Sequence, residues 1–328
     1  MTARRTLLLV AGACWLGALS TAFAQSTAGK RRIAYLNPST AVTVQHLTAV
    51  FRSGLRDLGW IEGDNLVLDM RFAENDPARV ALLTAELLAL KPDVFVSGTD
   101  REARAAAAAS RSIPIVFATG VDPVGLGLVE SLARPGRNVT GFSVLLNELN
   151  PKRLSLLKEA FPRLEKVGVL FRDGEPSNRP ALDALEVSAR QAGVTLLPTG
   201  VRGGDDLEAA FERIARGGTT ALLHVAHSVF FQHRQRLADL AIRHRMAVIG
   251  NSTEQADAGA LLSYGADLRE NVKRLAPLVD RILKGADPAT IPVEQANVYE
   301  LVINLRTART LGVELPRTLL LQATRVIE

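Results

Sequence analysis

The chain is nearly devoid of cysteine: its 328 residues contain one, Cys14. A single thiol forms no intramolecular disulfide, and beyond Cys14 the chain offers neither a thiol nucleophile nor a thiolate metal ligand. Aromatic residues are also scarce, at 5%, and the 47% hydrophobic content comes mainly from Ala, Leu and Val. This composition favours helices packed on parallel sheets over a β-sandwich, and the length suits about two domains.

Long apolar runs are missing after the N-terminal region, so no later segment is predicted to span a membrane. The N-terminal region combines Arg4 and Arg5, an apolar stretch at 6–19 and the small-x-small pattern Ala22-Phe23-Ala24. This pattern predicts that residues 1–24 are a secretory signal peptide, cleaved after Ala24, and that the protein is exported to the periplasm. Lipoprotein processing at Cys14 is the alternative.

A strong charge imbalance is also absent. The net charge is +5 at pH 7, and removal of Arg4 and Arg5 with the leader would leave +3. The basic residues are scattered and are not interleaved with aromatic ones, which excludes an extended nucleic-acid-binding surface.

Short apolar runs alternate with helical periodicity along the rest of the chain, and this order occurs twice. Strict alternation predicts an α/β fold with two doubly wound parallel-sheet lobes and a hinged ligand cleft. The first lobe is predicted to comprise 31–143 plus about 265–298, and the second 144–264 plus about 299–328. Helices are predicted at 124–132, 230–245 and 299–311 among others, with a bend at Pro277 in helix 268–284.

Motifs for nucleotide binding and hydrolysis are missing. The Gly-rich stretch 117–132 follows the fourth predicted strand and has Glu130 where a dinucleotide loop needs its third glycine. No P-loop, G-x-S-x-G or H-E-x-x-H sequence occurs. His224, His227 and His233 lack further convergent ligands, so they are interpreted as strand-end and loop residues. We therefore expect no catalytic residue, cofactor or metal.

What is present is a set of polar residues just beyond the carboxyl ends of predicted strands, where ligands bind in open α/β sheets. Ser263, within a predicted strand, is added to them. The candidate ligand-binding residues are Asn37, Ser39, Thr40, Gly98, Thr99, Thr119, Asp122, Arg172, Asn178, His227, Ser228, Asn251 and Ser263.

Several of these residues have a local structural interpretation as well. Thr99 and Glu102 spell a capping box, T-x-x-E, and Asp122-Pro123 fits an N-cap followed by an N1 proline. Turn formation alone would also account for Ser39, Asn178 and Ser228. Their shared location is therefore stronger evidence than any single residue.

Four stretches carry a resemblance to a known family: "GLRDLGWIEGDNLVLDMRFAEND" (54–76), "IPIVFATGVDPVGLGLVESLARPGRNVTGFS" (113–143), "ALLSYGADL" (260–268) and "IPVEQANVYELVINLRTARTLGVELP" (291–316). Together they resemble the periplasmic substrate-binding proteins of ABC transporters, in the TrpX-like family with the type I binding-protein fold. The resemblance covers essentially the whole chain after the leader.

The resemblance implies two lobes that close on a small molecule and pass it to an inner-membrane permease. The chain departs from the family pattern at Arg137, at Arg172-Asp173-Gly174-Glu175-Pro176 and at Asn251-Ser252-Thr253, so no relative's cargo is transferred to it. The predicted function is a monomeric receptor of an ABC importer for a small polar molecule, an amino acid or related carboxylate. The alternatives are an exported α/β enzyme, or a sensor that presents its ligand to a membrane signalling protein.

Overall fold

The structure is a computed structural model that describes residues 29–120, 122–176 and 178–328. The predicted signal peptide, its cleavage site and Cys14 lie outside the described residues.

The first sheet has six strands in the order β11-β5-β4-β3-β1-β2, and every pairing in it is parallel. Its central strands are short, fully buried apolar runs, as expected for a parallel sheet covered on both faces. The strands are β1 (Arg31–Asn37), β2 (Leu66–Phe72), β3 (Val94–Ser97), β4 (Ile115–Thr119), β5 (Val139–Ser143) and β11 (Glu294–Gln295).

The second sheet has seven strands in the order β13-β12-β10-β9-β8-β6-β7. All pairings are parallel except that of β12 with β10, where Leu262 pairs with Ile303 in an antiparallel ladder. The strands are β6 (Lys166–Arg172), β7 (Thr195–Val201), β8 (Ala221–His224), β9 (Ala247–Gly250), β10 (Leu262–Gly265), β12 (Glu300–Asn304) and β13 (Arg325–Ile327).

Twelve α-helices of the described residues cover the two sheets. Although α10 follows β10 of the second sheet in sequence, it packs on α1 and on β4 and β5 of the first sheet. The helices are α1 (Gln45–Asp57), α2 (Pro77–Ala89), α3 (Asp100–Ala109), α4 (Asn150–Ala160), α5 (Asn178–Gln191), α6 (Leu207–Arg216), α7 (Ser228–Gln232), α8 (Arg234–Arg243), α9 (Thr253–Asp257), α10 (Leu268–Leu283), α11 (Leu305–Leu311) and α12 (Arg317–Gln322).

The α/β fold with two parallel-sheet lobes is confirmed. We call the first sheet with α1–α3 and α10 the first lobe, and the second sheet with its helices the second lobe. The chain passes between the sheets after β5, after β10 and after β11. The residue boundaries given above for the lobes stay a prediction.

The helix predicted at 124–132 is wrong, because these residues form turns. The Asp122 carboxylate accepts hydrogen bonds from the backbone N–H groups of Val124 (2.9 Å) and Gly125 (3.0 Å), and Gly127 adopts φ +67°. This left-handed glycine ends the turn before a helix can form. The turn buries Leu128 and Val129, so the apolar spacing reflects core contacts rather than helical periodicity.

Two other predicted helices also differ from the structure. The segment predicted as helix 299–311 begins as strand β12 and becomes helical at Leu305, because its buried run Leu301-Val302-Ile303 pairs with β10. Periodicity alone does not distinguish a short apolar strand from a buried helical segment. The helix predicted at 230–245 is divided at His233 into α7 and α8.

Candidate functional site

A cavity of about 210 Å³ lies between the two lobes, at the carboxyl ends of strands from both sheets. The apolar part of its lining includes Val44, Leu47, Leu146, Phe231 and Leu275. The polar part of the lining consists of Tyr35, Asn37, Ser39, Asn75, Asp76, Thr99, Asp100, Arg101, Glu102, Glu175, His227, Ser228, Asn251, Ser252 and Asn271.

Seven of the thirteen candidate residues line this cavity, and they come from both lobes. The side chain of Thr119 lies outside the described part of the structure. The seven are Asn37, Ser39, Gly98, Thr99, His227, Ser228 and Asn251.

The other five candidates are not among the residues that line the cavity, and their role in ligand binding stays a prediction. Thr40 lies in a turn, where its hydroxyl is 2.8 Å from that of Thr43. Asp122 binds the N–H groups of its own turn, as described above.

The remaining three lie in or beside the strands of the second sheet. Arg172 donates to the Asp173 carbonyl (2.7 Å), and the Asn178 amide donates to the Arg172 carbonyl. Ser263 is 1% exposed within β10. The strand-end rule therefore selected residues near the ends of strands, but it did not identify which of them line the cavity.

The first lobe holds its polar lining groups in place by bonds within the lobe. Asn37 donates through Nδ2 to the Tyr35 hydroxyl (3.1 Å) and accepts through Oδ1 from the Ser39 N–H (3.0 Å). A Cβ atom at Gly98 would collide with the Asn37 side chain, so only glycine fits beside this amide. Burial raises the pKa of Tyr35 to about 12, despite the hydrogen bond from Asn37, so this phenol is neutral.

Thr99 and Glu102 form a pair at the start of α3 that differs from the predicted capping box. Thr99 is the N-cap residue, but its side chain bonds no backbone N–H of the helix. Instead its hydroxyl donates to Glu102 Oε2 (2.6 Å). Glu102 is fully buried and borders the cavity. Sequence reasoning missed it, because the T-x-x-E pattern offered a sufficient capping role.

Burial raises the pKa of Glu102 to about 7, with a further raising contribution from nearby Asp100 and a lowering one from the Thr99 hydrogen bond. Burial likewise raises the pKa of Asp100. The start of α3 therefore brings to the cavity a carboxyl group whose charge changes near neutral pH.

Three buried polar atoms of lining residues have no hydrogen-bond partner among the described residues. They are Glu102 Oε1, Ser252 Oγ and Asn271 Nδ2, and Asn271 is a residue of α10 that sequence reasoning also missed. A buried polar group left unpaired costs about 1–3 kcal/mol, so such groups at a cavity indicate where a ligand would bind. Asn271 lies in the first turn of α10, which follows β10, and its helical position gave no signal of a binding residue.

The second lobe contributes His227 and Glu175 to the opposite side of the cavity. His227 accepts through Nδ1 from the Val229 N–H (3.1 Å), and its Nε2 lies 3.4 Å from Glu175. Burial, with the nearby charges of Arg101 and Arg172, lowers the pKa of His227 to about 3. His227 is therefore neutral, and its contact with Glu175 is not an ion pair.

Direct bonds connect the two lobes around the cavity. Arg101 of the first lobe forms an ion pair with Glu175 of the second. The Asn75 side chain accepts from the Ser228 hydroxyl (2.5 Å) and donates to Gln232. The lobes are thus held together on the side where the strands of both sheets end.

A cavity between two parallel-sheet lobes, lined by polar groups from both, is the arrangement of a two-lobed binding protein. A family model described as ABC transporter substrate binding protein matches residues 42–327. The chain belongs to the family of ABC transporter substrate-binding proteins. The resemblance drawn from the sequence, including the type I periplasmic fold, is confirmed.

Three relatives illustrate this similarity. The tyrosine-binding protein of Clostridioides difficile is 26% identical over 265 residues, which cover 80% of this chain and 76% of that protein. The crystal structure of a conserved domain protein from Vibrio cholerae is 28% identical, with a TM-score of 0.84 over 90% of this chain and 99% of that one. The fold is shared with a domain from Streptococcus pneumonia solved in complex with L-Trp, which is 23% identical with a TM-score of 0.83 over 91% of this chain and 100% of that one.

Among the described residues, no helix is long and apolar enough to cross a membrane. No cluster of three or more His, Cys, Asp or Glu side chains there is arranged to hold a metal ion.

Proposed function

We propose that the protein is a periplasmic solute receptor of an ABC importer, and that its two lobes close around one small polar molecule, an amino acid or a related carboxylate. The closed form would be distinguished from the open form by the permease, which then receives the ligand. The protein would bind its ligand without converting it.

One observation carries this proposal: three residues that line the interlobe cavity each hold a buried polar atom without a partner in the described structure, namely Glu102 Oε1, Ser252 Oγ and Asn271 Nδ2. Unpaired polar atoms destabilise the free protein, and a ligand that pairs with them gains that free energy on binding. The volume of about 210 Å³ suits a metabolite of amino-acid size rather than a large ligand.

The relatives support the same ligand class, since one is named a tyrosine-binding protein and another was solved with L-Trp. The lining here contains apolar residues, such as Val44, Leu47 and Leu275, as well as polar ones, such as Thr99 and Glu102. A lining of both kinds suits an amino acid, whose charged amino and carboxyl groups meet polar residues and whose side chain meets apolar ones.

The test is to purify the protein from a periplasmic extract and record its native mass spectrum, followed by identification of any small molecule released on unfolding. Thermal unfolding with each of the twenty L-amino acids and a set of carboxylic acids then shows which compounds stabilise the protein. A binding compound raises the unfolding temperature in proportion to its occupancy. Absence of both a retained molecule and any stabilisation would overturn the proposal, and product formation would favour the enzyme alternative.

A further inference from the structure

The chemistry of the first-lobe side of the cavity narrows the ligand further. We propose that Glu102 selects an amino group: its carboxylate and the Thr99 hydroxyl form an acceptor site for an ammonium group of the ligand. This inference rests on the proposed function, because it concerns the ligand of the same cavity.

Both groups of this pair belong to lining residues and retain acceptor capacity. Thr99 commits its only hydroxyl hydrogen to Glu102 Oε2 at 2.6 Å, so its oxygen retains only acceptor capacity. Glu102 Oε1 is buried and unpartnered among the described residues. An ionised carboxylate has no hydrogen to donate, and the ligand must therefore supply the donor.

The charges around the pair also favour a cation. The titratable groups that face Glu102 are Tyr35 from β1 and Asp100 and Arg101 from its own helix. Arg101 is paired with Glu175 across the cleft. His227, on the opposite side of the cavity, is neutral because burial lowers its pKa to about 3.

Arg104 and Arg101 lower the pKa of Asp100. Arg101 is, however, the only cation of the described lining beside Glu102, and it is already paired with Glu175. An ammonium group placed there forms charge-assisted hydrogen bonds in a water-poor site. A carboxylate placed there would instead meet like charge. Asn271, another lining residue, has an Nδ2 without a partner among the described residues. This Nδ2 is available to donate a hydrogen bond to an acceptor group of the same ligand.

Binding of an ammonium group is expected to require ionised Glu102. Since the pKa of Glu102 lies at about 7 in the free protein, part of the population must lose a proton when an amine binds at pH 6.5. Affinity for an amine should rise by up to about tenfold per pH unit below pH 7 and level off above it.

The discriminating variant is Glu102→Gln in the full chain. Glutamine has nearly the same volume and still accepts from Thr99, but it replaces a charged acceptor with an uncharged amide that can present a donor. The probes are matched sets: each L-amino acid that binds, its amine-free acid and its carboxylate-free amine. For L-tyrosine these are 3-(4-hydroxyphenyl)propanoic acid and tyramine.

We expect Glu102→Gln to weaken binding of the amine-bearing probes by about 10- to 100-fold and to leave the amine-free acid within about threefold of wild type. Calorimetry at pH 6.5 in buffers of different ionisation enthalpy should show proton release with wild type and none with the variant. The matched control is Glu165→Gln, which should behave as wild type. Glu165 is exposed and directly precedes β6, at the end of that strand away from the cavity.

Amine-bearing probes that bind the variant with wild-type affinity would overturn the inference, as would equal losses for amine-free and amine-bearing probes. Binding confined to amine-free compounds would overturn the inference and leave the proposed function intact. Only failure of every compound, together with no retained molecule, would remove the proposed function as well.

Discussion

The two sides of the cavity hold their polar groups differently. In the first lobe, Asn37 bonds Tyr35 and Ser39, and Thr99 bonds Glu102, so these bonds stay within one lobe. In the second lobe, the lining groups Glu175 and Ser228 bond partners across the cleft, Arg101 and Asn75. The first set requires no particular position of the lobes, whereas the second set exists only when they are together.

This difference suggests that ligand recognition and closure of the lobes depend on different groups of the cavity lining. Groups arranged within one lobe are preorganised for the ligand before the lobes meet. Groups that bond across the cleft stabilise the closed form and thereby raise the apparent affinity for any ligand that favours it. Substitutions of groups held within the first lobe, such as Glu102, should change which ligand binds, and those in the cross-cleft pairs, such as Glu175, should change how often the lobes close.

The largest expected effect concerns the buried carboxyl of the first lobe. Between its ordinary pKa of 4.5 and about 7, folded Glu102 keeps a proton that the unfolded chain has lost. Its contribution to stability is therefore fully present below pH 4.5 and falls as the pH rises to about 7. From pH 4.5 to pH 8, the free energy of unfolding of wild type should fall by on the order of 3 kcal/mol relative to that of Glu102→Gln, which has no carboxyl group to titrate.

Chemical denaturation of both proteins without ligand at several pH values measures this difference. Glu165→Gln controls for the loss of an exposed carboxyl. A constant difference between wild type and Glu102→Gln across this pH range would show that Glu102 is not a buried titrating group.

The next largest effect is expected at Asn271, where a substitution should weaken ligand binding with little loss of stability in the free protein. Asn271→Leu removes a buried amide whose Nδ2 has no partner in the described structure, and the free protein should therefore lose little stability. Ligand affinity should fall by about tenfold, since one hydrogen bond to the ligand is lost. Thermal unfolding and titration calorimetry with a compound found in the amino-acid screen measure the two effects. Unchanged affinity would place Asn271 outside ligand contact.

A smaller effect is expected on the second-lobe side. Glu175→Gln removes the charge that pairs with Arg101 and should lower the apparent affinity about three- to fivefold by shifting the lobes towards the open form. The ratio between different ligands should stay as in wild type. Small-angle X-ray scattering with and without ligand measures the closure.

The matched control is Asp183→Asn, which breaks the exposed pair of Arg179 and Asp183 in the same lobe. It should change neither affinity nor closure. A change of ligand preference in Glu175→Gln would contradict the proposed division between the two sides.

The smallest effect is expected at Asp122, outside the cavity lining. Asp122→Asn keeps an oxygen for the turn N–H groups of Val124 and Gly125, so stability should change by less than about 0.5 kcal/mol. Affinity should equal that of wild type in titration calorimetry. A selective loss for amine-bearing ligands would return Asp122 to the binding site.

Much of the fold could be predicted from local pattern. The fully buried run of β3 and the alternation around it indicated a parallel sheet, because the residues of such a strand face apolar layers on both sides. The error at β12 has the same origin: Leu301-Val302-Ile303 is apolar in either a strand or a helix, and its pairing with β10 depends on residues about forty positions away.

The site could be predicted only in part. Asn37, Thr99 and His227 follow strands, and a strand-end rule therefore placed them near the ligand. Asn271 lies inside α10, which reaches the cavity only because that helix returns to the first sheet after β10.

The sequence by itself determined the succession of strands and helices, the two-lobed class and the family, since these depend on local spacing and on motifs that lie close together in the chain. Tertiary structure alone decided which polar groups line the cavity and which bond the backbone of their own turns. The reason is physical: Thr99, Glu102 and Asp122 are all polar residues beside a strand end. Only packing determines that Glu102 is buried beside a cavity with an unpaired oxygen, whereas Asp122 satisfies its own backbone.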